Sequence, residues 1–527
     1  MSYSNYEFFL NAWNVTETPP QSMYSGFAGK HSVMRKSSSF IHKAVVCVIL
    51  LLSVTAAWAQ TVFQPPGANL TYGEVTHGQR LQSASGNPAA AAADLARAAE
   101  KKPRGVVLSA AAGLEYGNVQ NLFDFYDELT KAYEPSDPGD GGGGPGQDPD
   151  DKPDGGIDLG IIWDSLDPDV QATIKAAGEE VARQTALLAV IREQGYGKAW
   201  LSANAPFILG SEGFGGAWTF GMNWSGTAKA FGIVEAIDFD EDAAQAALED
   251  WWNQLPINRP VQFPISDEVL LAIDPVTNAV RFAVQNDSSM LSKAAHMTEL
   301  NVGYSRLAWS NSAGSLYLGA EARLYLMRLS RLTVRFGDIT NSEELFDYIF
   351  DHDFRNAERV GIDIGALWVG ENYQIGAQLT NVNEPNFTFP DVNLDPYKNP
   401  DIIGFLQSDQ SYRMDRQLKL EASLFTSDRR WAAHLGLDAD PATDPLGDRY
   451  QWLTLSTGFT TDSWWIPGGR IGYRQNLTGT EMSYLGIGLT AFKIVNFDIA
   501  SALDTVSIDG TTLPQGLMVS IGFQITW

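Results

Sequence analysis

Residues 517–527 alternate without a break. Leu517, Val519, Ile521, Phe523, Ile525 and Trp527 are apolar, and Met518, Ser520, Gly522, Gln524 and Thr526 lie between them. Successive side chains of a strand point to opposite faces, so this run predicts a strand with one wholly apolar face. The same rule recurs upstream. Leu316, Leu318, Ala320, Ala322, Leu324 and Leu326 alternate with Tyr317, Glu321, Arg323 and Tyr325. Val360, Ile362, Ile364, Ala366 and Trp368 alternate with Gly361, Asp363 and Gly365. Leu418, Leu420, Ala422 and Leu424 alternate with Gln417, Lys419, Glu421 and Ser423, and Val495, Phe497 and Ile499 with Asn496 and Asp498. Turn residues such as Gly370-Glu371-Asn372 and Thr478-Gly479-Thr480 separate these runs. From residue 105 to the end we count about 14 strand candidates, an even number that suits a medium antiparallel barrel.

The second face decides between architectures. A soluble sandwich also alternates, with its apolar face on a core. Here Glu321 pairs with Arg323 and Lys419 with Glu421 two residues apart, and Asp363 shares their kind of face. Such residues fit the polar lumen of a barrel, and they also fit a solvent face. Trp431, Trp452 and Trp464-Trp465 stand near strand ends and fit either interface girdles or a soluble core.

Composition narrows the choice. Hydrophobic residues make up 44% of the chain, enough for an ordered core, and 11% aromatics with 49 glycines favour strands with tight bends. A net charge of −27 opposes binding to nucleic acid, whose phosphates demand basic patches. The single cysteine, Cys47, falls in a segment with the three parts of a secretory signal. In residues 34–59, Arg35, Lys36 and Lys43 precede an uncharged apolar run, and Ala57-Trp58-Ala59 is a small-x-small cleavage site. The apolar run is too short to span a bilayer as a helix. The mature chain would then lack cysteine, which removes disulfides, redox pairs and thiol nucleophiles.

The chain therefore divides into four expected parts. Residues 1–33 read as a mis-annotated extension, with translation starting at Met34, and residues 34–59 as the signal peptide. Residues 60–104 form a plug-like segment that includes an Ala-rich helix after Asn87-Pro88-Ala89. Residues 105–527 form the barrel of an outer-membrane protein in a Gram-negative cell. Residues 135–157 are almost purely Gly, Pro and Asp, so they form a solvated loop. Three loop helices are predicted near 167–193, 240–254 and 342–350.

Catalytic chemistry is sparse. His77, His296, His352 and His434 stand in no metal-binding spacing, and no nucleophile elbow, phosphate loop or dinucleotide fingerprint is present. Asp438, Asp440, Asp444 and Asp448 form an acidic run that weakly suggests calcium, but Pro441 and Pro445 depart from the usual ligand loop. The reading is a non-enzymatic protein without cofactor.

Several stretches resemble the TraF-type conjugal transfer family: Ser85-Gly86-Asn87-Pro88-Ala89, LNVGYSRLAWSNSAGSLYLGAEARLY at 300–325, IGALWVGENYQIGAQLTNVNEPNF at 364–387, RQLKLEASL at 416–424, and residues 430–500 including DPLGDRYQWL. The resemblance runs from about residue 70 to the end. It implies an outer-membrane β-barrel serving conjugative transfer or envelope assembly. A thioredoxin-like protein of the same name does not match a cysteine-free chain. The barrel is also similar to FadL-type channels for long-chain fatty acids and other hydrophobic molecules, whose plug carries an Asn-Pro-Ala motif. That likeness implies Asn87, Pro88 and Ala89 as plug residues. Glu321, Arg323, Asp363, Lys419 and Glu421 would face the lumen, and Phe523, Ile525 and Trp527 would form the C-terminal signal read by the barrel assembly machinery. Expected partners are outer-membrane lipid, conjugation or envelope proteins, or a hydrophobic small molecule, with no nucleic acid. The Gly/Asp insertion and the extra helices depart from the channel pattern.

Overall fold

A computed structural model describes residues 68–76, 86–97, 104–117, 196–211, 215–235, 261–264, 269–274, 279–284, 287–335, 353–508 and 511–526. The segments expected at 1–33, 34–59, 135–157, 167–193, 240–254 and 342–350 lie outside these residues, as do His77, His352 and Trp527.

Fourteen strands close into a ring, each antiparallel to its neighbours. In chain order they are β1 (Arg104–Tyr116), β2 (Tyr196–Asn204 with Phe207–Ser211), β3 (Gly216–Ile233), β4 (Ser289–Asn311), β5 (Gly314–Arg335), β6 (Arg355–Val369) and β7 (Tyr373–Thr380). There follow β8 (Gln417–Phe425), β9 (Trp431–Asp438), β10 (Trp452–Phe459), β11 (Gly468–Asn476), β12 (Ser483–Ala491), β13 (Val495–Ala502) and β14 (Gly516–Thr526). β1 closes the ring by pairing with β2 on one side and with β14 on the other. Pro206 has no N–H to give and interrupts β2, yet the register survives across it: Asn204 faces Asn223 and Phe207 faces Phe220 on β3. A separate three-stranded sheet of Val261–Pro264, Val269–Asp274 and Ala279–Val284, which the sequence reading missed, belongs to the connection between β3 and β4. Three helices are described: α1 (Asn69–Tyr72), α2 (Ala90–Arg97) and α3 (Pro400–Ser408). None of them is long and apolar enough to cross a membrane, which says nothing of strands.

Closure is what the outer surface requires. Leu108, Phe220, Val302, Ile364, Ile375, Leu424, Leu455, Ile487, Phe497 and Ile521 all point outward and are exposed, so an apolar band runs round the ring. In hydrocarbon no water can satisfy a strand edge, and a closed ring has none. In β14, Leu517, Val519, Ile521, Phe523 and Ile525 face out, while Met518 and Ser520 are buried inside.

The two ends differ. Short connections (212–215, 312–313, 370–372, 426–430, 460–467 and 492–494) gather at one end, the turn end. The connections at the other, the loop end, include 117–195, 234–288, 381–416 and 439–451. Aromatic pairs ring the turn end: Trp309 with Trp368 at 5.6 Å, Trp431 with Phe459 at 5.0 Å, and Trp464 with Phe492 at 5.9 Å. Of the two alternatives for Trp452, the girdle is excluded. The side chain is only 8% exposed and faces inward at the loop end, against Tyr450 and Tyr484. Its parity along β10 is that of buried Thr454 and Ser456, so it cannot join an outer girdle.

Candidate functional site

The inner wall carries the polar residues and receives the N-terminal segment. Two described stretches of that segment, 68–76 and 86–97, lie against it. In the first, the Thr71 hydroxyl donates to Asp498 Oδ1 at 2.5 Å, and Arg470 holds the same carboxylate through Nε at 2.8 Å. The Arg470 guanidinium also lies 5.6 Å over the Tyr72 ring. Ser456 Oγ donates to the Tyr72 carbonyl at 3.3 Å, and Ser423 Oγ donates to the Thr76 carbonyl at 3.2 Å. Glu74 forms an ion pair with Lys419.

Glu421 is where the two stretches meet. It accepts from the Thr76 backbone N–H, from Thr76 Oγ1 at 2.7 Å, and from Asn87 Nδ2 at 2.9 Å. Asn87 does a second task with its other amide atom. Its Oδ1 accepts from Ala89 N at 3.0 Å, capping the turn that leads into α2. Inside α2, Ala92 N donates to Ser305 Oγ on β4 at 3.0 Å.

Between these side chains the wall carries glycines where the backbone of the segment comes closest. A Cβ at Gly319 would lie 2.2 Å from the Pro88 carbonyl oxygen, and one at Gly365 would lie 2.2 Å from Asn87 Oδ1. At Gly458 it would stand 2.0 Å from Tyr72 Oη, and at Gly472 1.9 Å from the Thr71 carbonyl oxygen. All four glycines face inward on β5, β6, β10 and β11, so the segment sits on backbone. Asn87, Pro88 and Ala89 thus lie on the inner wall of β5 and β6. The sequence reading placed Gly365 and Asp498 on the face opposite the apolar one without giving either a role, and gave none to Gly319, Gly458, Gly472 or Arg470. The signal available was glycine at inward parity, such as Gly365 beside Asp363.

A second cluster lies on β3–β6. Arg323 reaches Glu321 at 2.9 Å, Glu299 at 3.1 Å and Asp363 at 2.8 Å, and Asn223 donates to Glu299 at 2.6 Å. Glu321, Arg323, Asp363, Lys419 and Glu421 all sit on inward-facing positions.

The acidic run does not converge on a cation site. Asp444 and Asp448 take Lys198 at 2.5 Å and 2.9 Å, and Asp448 also takes Lys229. Burial raises the Asp448 carboxyl, but Lys198 and Lys229 outweigh it and hold it at about 2. Asp438 accepts from Trp452 N at 3.0 Å, and Asp440 is exposed. No group of three or more His, Cys, Asp or Glu able to hold a metal occurs among the described residues. The calcium suggestion therefore gives way to lysine pairing. His434 is buried, with Nδ1 2.8 Å from Ser423 Oγ and its ring 5.2 Å from that of Tyr72, and His296 packs on Phe354. Phe523 and Ile525 stand on the outer face.

A closed ring with an apolar outer band and a charged inner wall defines a β-barrel of the outer-membrane type. Within that class the chain belongs to the family described as the TraF protein of the F plasmid transfer operon, whose family model matches residues 84–440. No curated protein matches the chain. Among solved structures it is similar to a TodX monoaromatic hydrocarbon channel mutant, at 10% identity and a TM-score of 0.40, over 88% of this chain and 99% of that one. It is also similar to a Pseudomonas aeruginosa FadL homologue, at 12% identity and a TM-score of 0.33, over 89% and 99% of the two chains.

Proposed function

We propose that this protein is a non-enzymatic, plugged channel in the outer membrane of a Gram-negative bacterium, passing small hydrophobic molecules. The observation that carries the reading is the seating of Asn87 on Glu421, which anchors the N-terminal segment to the inner wall. An element held there by buried polar contacts suits a plug that regulates passage. The inner wall is also apolar towards the loop end, where Met297, Tyr325, Met327 and Leu329 pack in a buried cluster with Phe387 and Tyr412. The turn end would face the periplasm, because short turns lie there in barrels of this kind. Lipid would contact the outer band, and the assembly machinery would read the strand that carries Phe523 and Ile525. Uptake of labelled fatty acids and aromatic hydrocarbons by a deletion strain tests the channel. Reduced uptake of at least one compound is expected, and wild-type uptake across a broad panel would count against it. Heat-modifiable gel mobility of the membrane fraction tests the location.

Family membership favours a second role in conjugative transfer or envelope assembly. Deleting the gene from a mobile element should lower mating frequency, and unchanged transfer would remove that role.

A further inference from the structure

The connection between β9 and β10 runs to the far wall. Its hairpin, Ala442–Thr443 paired with Arg449–Tyr450, carries the tip 444–448. The tip is self-supporting: Asp444 Oδ1 accepts from Leu446 N at 2.9 Å and from Asp448 N at 2.8 Å, and Gly447 adopts φ +96°. Its carboxylates end on Lys198 of β2 and Lys229 of β3, both of which point inward. In the 14-strand ring β2 lies seven strands from β9 in either direction. The hairpin therefore crosses the full width of the lumen. Tyr450 joins the contact, accepting from Lys198 Nζ at 2.6 Å, and Glu115 of β1 takes the hydroxyls of Tyr196 and Tyr484 at 3.1 Å and 3.0 Å beside it. Asp444 and Leu446 are each 1% exposed, so the tip is embedded and not draped over the rim.

We propose that this hairpin is a lid over the loop end of the lumen, latched to the opposite wall by Lys198 and Lys229. Paired buried charges hold such a contact while both partners are present, and loss of one sign leaves the other buried without a counter-charge. Removing the two carboxylates should therefore release the tip and open the lumen behind it.

The natural sequence lends itself to a test, because its single cysteine, Cys47, precedes the barrel. With Cys47 replaced by Ser, Ser225→Cys places one thiol on the inner face of β3, four residues from Lys229 towards the turn end. A bulky membrane-impermeant maleimide is added to cells carrying this variant, alone and with D444N/D448N. Labelling in the latched protein should be slow, and D444N/D448N should accelerate it at least tenfold. K198M/K229M should do the same from the other side of the contact. Equal rates in both backgrounds, or fast labelling of the latched protein, would overturn the lid. Should a double variant fail to assemble, judged by heat-modifiable mobility, D448N alone is read by the same criterion. The readout is access to the lumen and no solute is transported, so it stands apart from the channel reading.

Discussion

Asn87 and Glu421 stand 334 positions apart in the chain and share a hydrogen bond of 2.9 Å inside the barrel. The Glu421 carboxylate accepts more than this one bond. It is satisfied by donors from the N-terminal segment, two from Thr76 and one from Asn87. Donor and acceptor thus each depend on the segment staying seated. Replacing Glu421 with Ala would strand those donors in a buried site, at about 1–3 kcal/mol for each donor left unsatisfied. We expect hydrogen exchange across 68–76 and 87–97 to accelerate at least tenfold in Glu421→Ala while the barrel strands keep their protection. Unchanged exchange in those stretches would show that the seat does not depend on this contact.

Gly365 supplies the complementary test. A methyl group there would meet Asn87 Oδ1 at 2.2 Å, whereas one at Gly469 would meet nothing within 4 Å. Gly365→Ala should unseat the segment, and Gly469→Ala should not. The effect should also be non-additive with Asn87→Ala, since the same contact is lost in both. Limited proteolysis at 77–86 reads the difference. Equal cleavage of the two glycine variants would refute the close approach.

What the sequence made legible was parity. Alternation in β14 and β6 assigned Phe523, Ile362 and Ile364 to the outer face and Asp363 to the inner one, because a strand has no freedom to do otherwise. Trp452 was left open between girdle and core because residue type was weighed and parity was not. The pairing of Asn87 with Glu421, or of Lys198 with Asp444, was not legible. Each joins positions hundreds of residues apart that meet only once the ring has closed, and no local rule encodes a contact across a lumen. The glycine seat was hidden for a related reason. An inward glycine in a strand looks like a bend until the chain it supports is known.

Arg323 holds three carboxylates, Glu299, Glu321 and Asp363. Replacing it with Met leaves them packed together without a cation. Breaking a buried ion pair from one side costs about 3–5 kcal/mol. We expect Arg323→Met to lower the temperature at which heat-modifiable mobility is lost, and Arg323→Lys to recover only part of the loss, since an ammonium cannot fork to several carboxylates at once. An unaltered transition in Arg323→Met would mean the cluster adds nothing to the barrel.

Ile487 is 52% exposed on β12, between the inward-facing Gly486 and Gly488. A lysine at the bilayer midplane of a barrel costs about 2–4 kcal/mol, falling towards zero near the interfaces. Ile487→Lys should therefore reduce unfolding stability in urea titrations within lipid vesicles. A lysine in place of exposed Asp440, beyond the strand end, should leave it unchanged. Equal stability of both variants would remove Ile487 from the hydrocarbon layer.

The lid contact has a definite pH signature. Asp448 faces Lys198, Lys229, Asp444, Glu115, Tyr196 and Tyr450, and the two lysines hold its carboxyl at about 2 against the upward push of burial. A carboxyl depressed in the folded state contributes stability that is complete above its ordinary value, near 4, and is lost as pH falls through the depressed one. Each unit of depression is worth about 1.4 kcal/mol, so this carboxylate contributes roughly 3 kcal/mol at neutral pH. Burial raises the Asp444 carboxyl of the same latch above its ordinary value, so that half is lost first as pH falls; in Asp444→Asn, where Asp448 alone holds the two lysines, the Ser225→Cys reporter should open fully only as the incubation pH approaches 2. Full opening of the Asp444→Asn protein between pH 5 and 6 would remove Asp448 from the latch.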